Sequence, residues 1–231
     1  MLLGDAALER LSSCRVAVFG VGGVGGYAVE VLARSGVGAI DVVDNDQVAL
    51  SNVNRQIIAL TTNVGRYKVD VAEERILAIN PACKVTKHRT FYLVSNADEL
   101  DLSAFDYVVD CIDTVSAKME LVRQCKRLGV PLICCMGAAY KVDATAFRVS
   151  DITKTINDPL AKTIRKRLRR EGIRHFKCVC STELPIQVEP VEEGGKRVPA
   201  SNAWVPAAAG LVVGGEVVKD LVGLSQPVVP E

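Results

Sequence analysis

The chemistry-bearing residues begin with a run of glycines. In VAVFGVGGVGGYAVEVLA, residues 16–33, Gly20, Gly22 and Gly25 fit the pattern G-x-G-x-x-G, with Gly23 and Gly26 added. After a short apolar strand, this spacing lets the backbone turn tightly, approach a ligand and pack a helix on the strand. The helix N-terminus that follows favours anionic groups. Asp44, at the end of the next apolar run, is well placed for ribose hydroxyls. Glycines and acid together predict a nucleotide, and they suit NAD as well as ATP.

The segment DNDQVALSNVNRQ, residues 44–56, separates the two. It sets Asp44 and Asp46 beside a run of hydrogen-bonding side chains that includes Arg55, with Lys68 further along. A redox coenzyme needs no cations to stabilise a leaving group. ATP cleavage does: charge builds on the departing phosphates, and Arg, Lys and a divalent ion must be in place to receive it. Asp113, in VVDCIDT just past an apolar strand, belongs to the rim where such sheets bind ligands. Its oxygens suit Mg2+. The residues therefore point to ATP and Mg2+, with Arg55, Lys68 and Asp113 as catalytic candidates.

Positioning these groups takes alternating strands and helices, hence a parallel sheet covered on both faces. Strands are expected at residues 15–19, 39–43, 84–89, 107–111 and 131–135. Helices are expected at 22–34, 64–79 and 116–128, the second stopped by Asn80-Pro81. Later the pattern loosens into strands at 146–150 and 176–181 and a basic helix at 159–170. A loop rich in Pro, Glu and Gly runs through Ala200, and a helix at 203–221, with Pro206 near its first turn, closes the chain. The expected class is α/β: a Rossmann-like, mostly parallel sheet with helices on both faces, extended by a C-terminal region of mixed strands and helices. One domain spans residues 1–231, with a nucleotide-binding core at 1–135 and a substrate-side part at 136–231.

The totals exclude several classes. A chain of 231 residues, 49% apolar and 24% charged, can bury a substantial core. Its net charge of +1 means that attraction to nucleic acid requires a local patch. MLLGDAALERLSSCR has no secretory n-region or cleavage site, and residues 204–215 are too short to span a bilayer. A soluble cytoplasmic protein, away from membranes, is the expectation. There is no C-x-x-C among the eight cysteines, so no structural zinc is expected. Most cysteines lie in apolar patterns, where the reduced side chain is a small hydrophobe.

Together, GVGGVGG, DNDQVALSNVNRQ, GRYK and DCIDT resemble the family of ubiquitin-activating enzymes and of bacterial proteins that adenylate sulfur carriers. The resemblance implies that Gly20, Gly22, Gly23 and Gly25 form the nucleotide loop and that Asp44 and Asp46 lie at the ribose. It assigns Asn52, Arg55 and Lys68 to the phosphates and Asp113 to the metal. Family members join a carboxylate to AMP; many then pass the acyl group to a cysteine and carry zinc in two C-x-x-C pairs. Here both pairs are missing. Residues 136–177 and 201–221 are instead similar to a branch that dehydrates threonylcarbamoyladenosine in tRNA. That similarity implies adenylation of the threonylcarbamoyl carboxylate in the anticodon loop, then ring closure by another atom of the same side chain, releasing pyrophosphate and AMP. It also implies a homodimer and sulfur-transfer proteins as partners. The alternative is adenylation of the C-terminal glycine of a ubiquitin-like sulfur carrier; a NAD-dependent oxidoreductase and a non-catalytic nucleotide-binding partner also compete.

Lys162, Arg165, Lys166, Arg167, Arg169, Arg170, Arg174 and Lys177 share one stretch whose only acid is Glu171. In a nearly neutral protein such segregation suits an RNA backbone, with Lys162, Arg165, Lys166, Arg169 and Arg170 as tRNA contacts. The plain alternative is a solvated helix face. Two departures from the branch are expected to lower activity. An arginine-containing segment precedes its LLG motif, whereas this sequence starts at Met1-Leu2-Leu3-Gly4, with Arg10 outside the motif. Where relatives read G-A-G-N-K, this chain has Gly137-Ala138-Ala139-Tyr140-Lys141.

Overall fold

A computed structural model of the chain describes residues 2–189, 191–193, 196–198, 200–226 and 228. Strands β1 (Arg15–Phe19), β2 (Ala39–Val43), β3 (Lys84–His88), β4 (Tyr107–Asp110), β5 (Leu132–Cys135), β6 (Phe147–Asp151) and β7 (Lys177–Ser181) form one sheet in the order β3-β2-β1-β4-β5-β7-β6. Every pairing is parallel except β6 with β7. From β1 the chain builds outward one way through β2 and β3, then crosses to β4 on the other side. Such a reversal opens a crevice at the C-terminal ends of the strands.

The strand sequences explain the layering. Val16 and Val18 of β1 join the core on one face, and Ala17 and Phe19 join the core on the other. Period-two alternation with both faces apolar is the signature of a strand covered on both sides. Helices α2 (Gly25–Arg34), α3 (Lys68–Ile79) and α6 (Val205–Leu221) supply the first core. Helix α4 (Val115–Leu128) supplies the second, and α5 (Pro159–Arg170) packs with it in a third cluster. Helix α6 lies directly on α2: a Cβ at Gly210 would stand 2.3 Å from the Val24 carbonyl oxygen, so only glycine permits this approach. Helix α5 starts where Asp158 accepts the Ala161 N–H at 2.9 Å, with Pro159 in its first turn.

Several boundaries differ from those expected. Helix α3 begins at Lys68 rather than residue 64, because Tyr67 bridges to Gln47. The Val48 N–H and carbonyl also bond Arg66 and Gly65, both at 2.8 Å. Helix α2 begins at Gly25 rather than residue 22, since the preceding glycines make the turn. An unforeseen helix, α1 (Asp5–Ser13), buries Leu11 in the core. The expected loop before α6 contains two short antiparallel strands, β8 (Val191–Glu193) and β9 (Lys196–Val198).

The loop after β5 is stitched to the segment before α6. The Tyr140 N–H donates to the Ala200 carbonyl (2.9 Å), Asn202 Nδ2 to Lys141 O (2.8 Å) and Trp204 Nε1 to Val142 O (2.8 Å). Among the described residues, no helix is long and apolar enough to cross a membrane.

Candidate active site

A cavity of about 410 Å³ runs along the C-terminal edge of the sheet, from the ends of β2 and β3 across β1 and β4 to β5. Gly20, Gly22, Gly23, Asp44, Asp46, Asn52, Arg55, Lys68 and Asp113 all line it. Phe91 and Tyr92 close the β3 side, and Met136 to Ala139 the β5 side. Gly25 lies below the lining. A Cβ there would fall 1.8 Å from the Gly20 carbonyl oxygen, so its bare backbone lets α2 close onto the loop.

Asp44 anchors the glycine turn: its carboxylate accepts the N–H groups of Val21 (2.7 Å) and Asp46 (2.8 Å). Burial raises its pKa above the ordinary value, against the opposing pull of Lys68 and these two N–H groups. Lys68 is only 5% exposed; its Nζ donates to Asp46 Oδ2 at 2.6 Å and its N–H to the Asp46 carbonyl at 2.9 Å. The first residue of α3 is thereby locked to the loop after β2. Arg55 Nη1 donates to Ser51 O (2.8 Å) and Asn54 Oδ1 (2.9 Å), and Asn52 Oδ1 caps its short turn by accepting the Ala49 N–H (3.0 Å).

On the β4 side, Asp113 is exposed at the rim, and its carboxylate accepts a long hydrogen bond of 3.4 Å from Thr114. Among the described residues, no three His, Cys, Asp or Glu side chains gather to hold a metal. One exposed carboxylate nevertheless fits Mg2+, which commonly keeps waters and takes its other ligands from phosphates.

Sequence reasoning missed the support beneath this rim. Lys118 is fully buried, with Nζ 3.0 Å from Asp110 Oδ2 and 2.9 Å from the Ile112 carbonyl; Asp110 Oδ1 accepts the Ile112 N–H at 3.1 Å. Burial alone would lower the Lys118 pKa, but the Asp110 charge overrides it and holds it above the ordinary lysine range. The pair clamps the turn that carries Asp113. The available signal was a lysine at a core position, sharing a helical face with Leu121, Val122 and Cys125. Also missed were Gln56, only 6% exposed, and Ser201, which both line the cavity.

Cys111 lines the cavity as well, and burial holds its thiol well above the ordinary pKa, so it offers no ready thiolate. The other seven cysteines are buried.

The basic stretch divides in two. Helix α5 buries Ala161, Ile164 and Leu168, leaving Lys162, Lys166, Arg167, Arg169 and Arg170 exposed, as is Arg174 beyond it. Arg165 and Lys177 turn inward. Arg165 Nη1 donates to the carbonyls of Ile152 (3.1 Å) and Thr155 (3.0 Å), while Lys177 Nζ reaches Glu216 (2.9 Å) and Asp220 (2.7 Å).

A model of the ThiF family matches residues 1–230. The tRNA threonylcarbamoyladenosine dehydratase of Bacillus subtilis is 44% identical over 233 residues, spanning 96% of this chain and 92% of the relative. The Escherichia coli tRNA N6-threonylcarbamoyladenosine dehydratase, solved in complex with ATP, superposes with a TM-score of 0.87 at 37% identity, covering 96% of this chain and 91% of that one. Its complex with AMP gives the same TM-score at 38% identity, with the same coverage.

Proposed function

The chain belongs to the ThiF family, and from that premise we propose that it dehydrates threonylcarbamoyladenosine in tRNA by ATP-dependent adenylation of the carboxylate. The convergence of Asp44, Asn52, Arg55, Lys68 and Asp113 on one cavity carries this reading. The 44% identical relative of that name supports the choice of substrate. Asp44 and Asp46 take the ribose hydroxyls, and the backbone of Gly20, Gly22 and Gly23 cradles the phosphates, with Gly25 closing the helix behind it. Asn52, Arg55 and Lys68 receive the charge that develops as the triphosphate breaks. Asp113 would hold Mg2+, which would supply further positive charge at the phosphates.

A carboxylate oxygen of the threonylcarbamoyl group attacks the α-phosphorus, the bond to the bridging oxygen breaks and pyrophosphate leaves. A second atom of the same side chain then attacks the activated acyl carbon; AMP departs and a proton is lost. Well-oriented intramolecular attack reaches effective molarities of about 10⁵–10⁸ M, so no enzyme thiol is required. The outward cations of α5, Lys162, Lys166, Arg169 and Arg170, meet the tRNA backbone, while Arg165 anchors the helix beneath them. Homodimerisation, a cytoplasmic setting and sulfur-transfer partners extend the reading on family resemblance; light scattering of the purified protein reads the first.

The test is incubation with ATP, Mg2+ and tRNA bearing the open modification, followed by mass spectrometry of the nucleosides. A product lighter by one water, with equimolar pyrophosphate, is expected. Pyrophosphate release with a ubiquitin-like carrier instead of tRNA would replace this reading with carrier activation. Release with neither would remove the activity.

A further inference from the structure

The geometry points to Gln56, at the glycine turn, and Ser201, on the β5 side of the cavity, as the groups that recognise the molecule to be activated: Gln56 its carboxylate and the neighbouring urea N–H, Ser201 its hydroxyl. This rests on the adenylation of a threonylcarbamoyl group proposed above.

Gln56 and Ser201 both line the cavity, and the buried Oε1 of the one and Oγ of the other have no hydrogen-bond partner among the described residues. Buried polar atoms are nearly always paired, so two such atoms on residues that line one cavity mark where ligand atoms complete the bonding. Their places differ. Gln56 Nε2 lies 3.8 Å from the point a Cβ on Gly22 would occupy, so the carboxamide stands against the glycine turn, where acyl group and α-phosphate must meet. Ser201 belongs to the segment stitched to the loop after β5, away from Asp44, Phe91 and Tyr92 at the nucleotide end. Its neighbour Asn202 is fixed at both ends of its amide, donating to Lys141 O (2.8 Å) and accepting the Val205 N–H (2.9 Å), which holds Ser201 in register. Lys141 itself is 3% exposed, with an Nζ that has no hydrogen-bond partner among the described residues.

Donor and acceptor chemistry narrows the ligand. Gln56 Oε1 can only accept, so the ligand must bring an N–H or O–H; Gln56 Nε2 can only donate, which suits a carboxylate. A serine hydroxyl donates and accepts, which suits another hydroxyl. A carboxylate, a urea N–H and a hydroxyl on adjacent carbons satisfy all three, and a threonylcarbamoyl group carries them.

The experiment compares two tRNA substrates, one carrying threonylcarbamoyladenosine and one the glycylcarbamoyl analogue, which lacks the hydroxyl. Binding of ATP is measured separately. The unaltered protein should favour the threonyl substrate about tenfold or more in kcat/KM. Ser201→Ala should abolish that preference with ATP affinity unchanged, and Ser201→Thr, which restores a hydroxyl, should recover part of it. Gln56→Leu should lower kcat/KM about tenfold or more for both substrates alike, again sparing ATP binding. Retained discrimination in Ser201→Ala, or an equal loss of ATP affinity in either variant, would overturn the assignment while leaving the activity intact. Pyrophosphate release with neither tRNA in the unaltered protein removes the activity and this inference with it.

Discussion

Lys68 shows how one side chain serves structure and charge together. Its ammonium is buried against Asp46 and starts α3 beside the end of the cavity proposed to take the phosphates. Substituting Lys68→Met removes a preorganised charge from the place where negative charge develops. Pyrophosphate release should fall by about 10²–10³ in kcat, with a smaller change in the KM for ATP, as steady-state assays would read. Asp41 behaves differently. Burial alone would raise its pKa, but hydrogen bonds from His88 and Arg15 and their charges hold it below the ordinary carboxylate value. A lowered folded-state pKa contributes stability that is present above the unfolded value of about 3.9 and lost as pH falls through the folded one. Urea melts across that window should therefore show stability falling with acid, and Asp41→Asn should be less stable at neutral pH and flatter below about pH 4.

Among elements, the turn from β4 into α4 is the most revealing. Lys118→Met strands the Asp110 carboxylate in the interior and should cost about 3–5 kcal/mol in chemical denaturation. Adding Asp110→Leu should recover much of that stability without restoring pyrophosphate release, because the tie to the Ile112 carbonyl stays broken. The glycine turn and the acids beside it were legible in the sequence, since their spacing is local to one strand–turn–helix unit. Lys118 was not, because its partner Asp110 belongs to the preceding strand and its role depends on how α4 docks. The start of α3 failed for a similar reason: Tyr67 has acceptable helical neighbours, but a bridge to Gln47 claims its backbone first. Gln56 and Ser201 carry no periodic signal, and only the folded chain brings them to one cavity.

On the whole molecule, charge is segregated although the net charge is only +1. If the outward face of α5 tracks tRNA phosphates, reversing Lys166 and Arg169 to Glu should reduce the slope of log affinity against log salt by roughly 0.7–0.9 for each phosphate no longer neutralised. Filter binding across a salt series measures it, and an unchanged slope would argue for a merely solvated helix. Arg165→Glu should act through folding instead, since its guanidinium holds two carbonyls of the segment before the helix.

The stitching of the loop after β5 to the chain before α6, and the seating of α6 on α2, bear on how such a protein can be divided. A gene severed between codons 135 and 136 would not liberate a self-sufficient nucleotide module. The amputated half would surrender the helix that shields its own first layer, and the remainder would keep a wall with nothing to face. The two portions of this polypeptide are packed into each other and are not interchangeable cassettes.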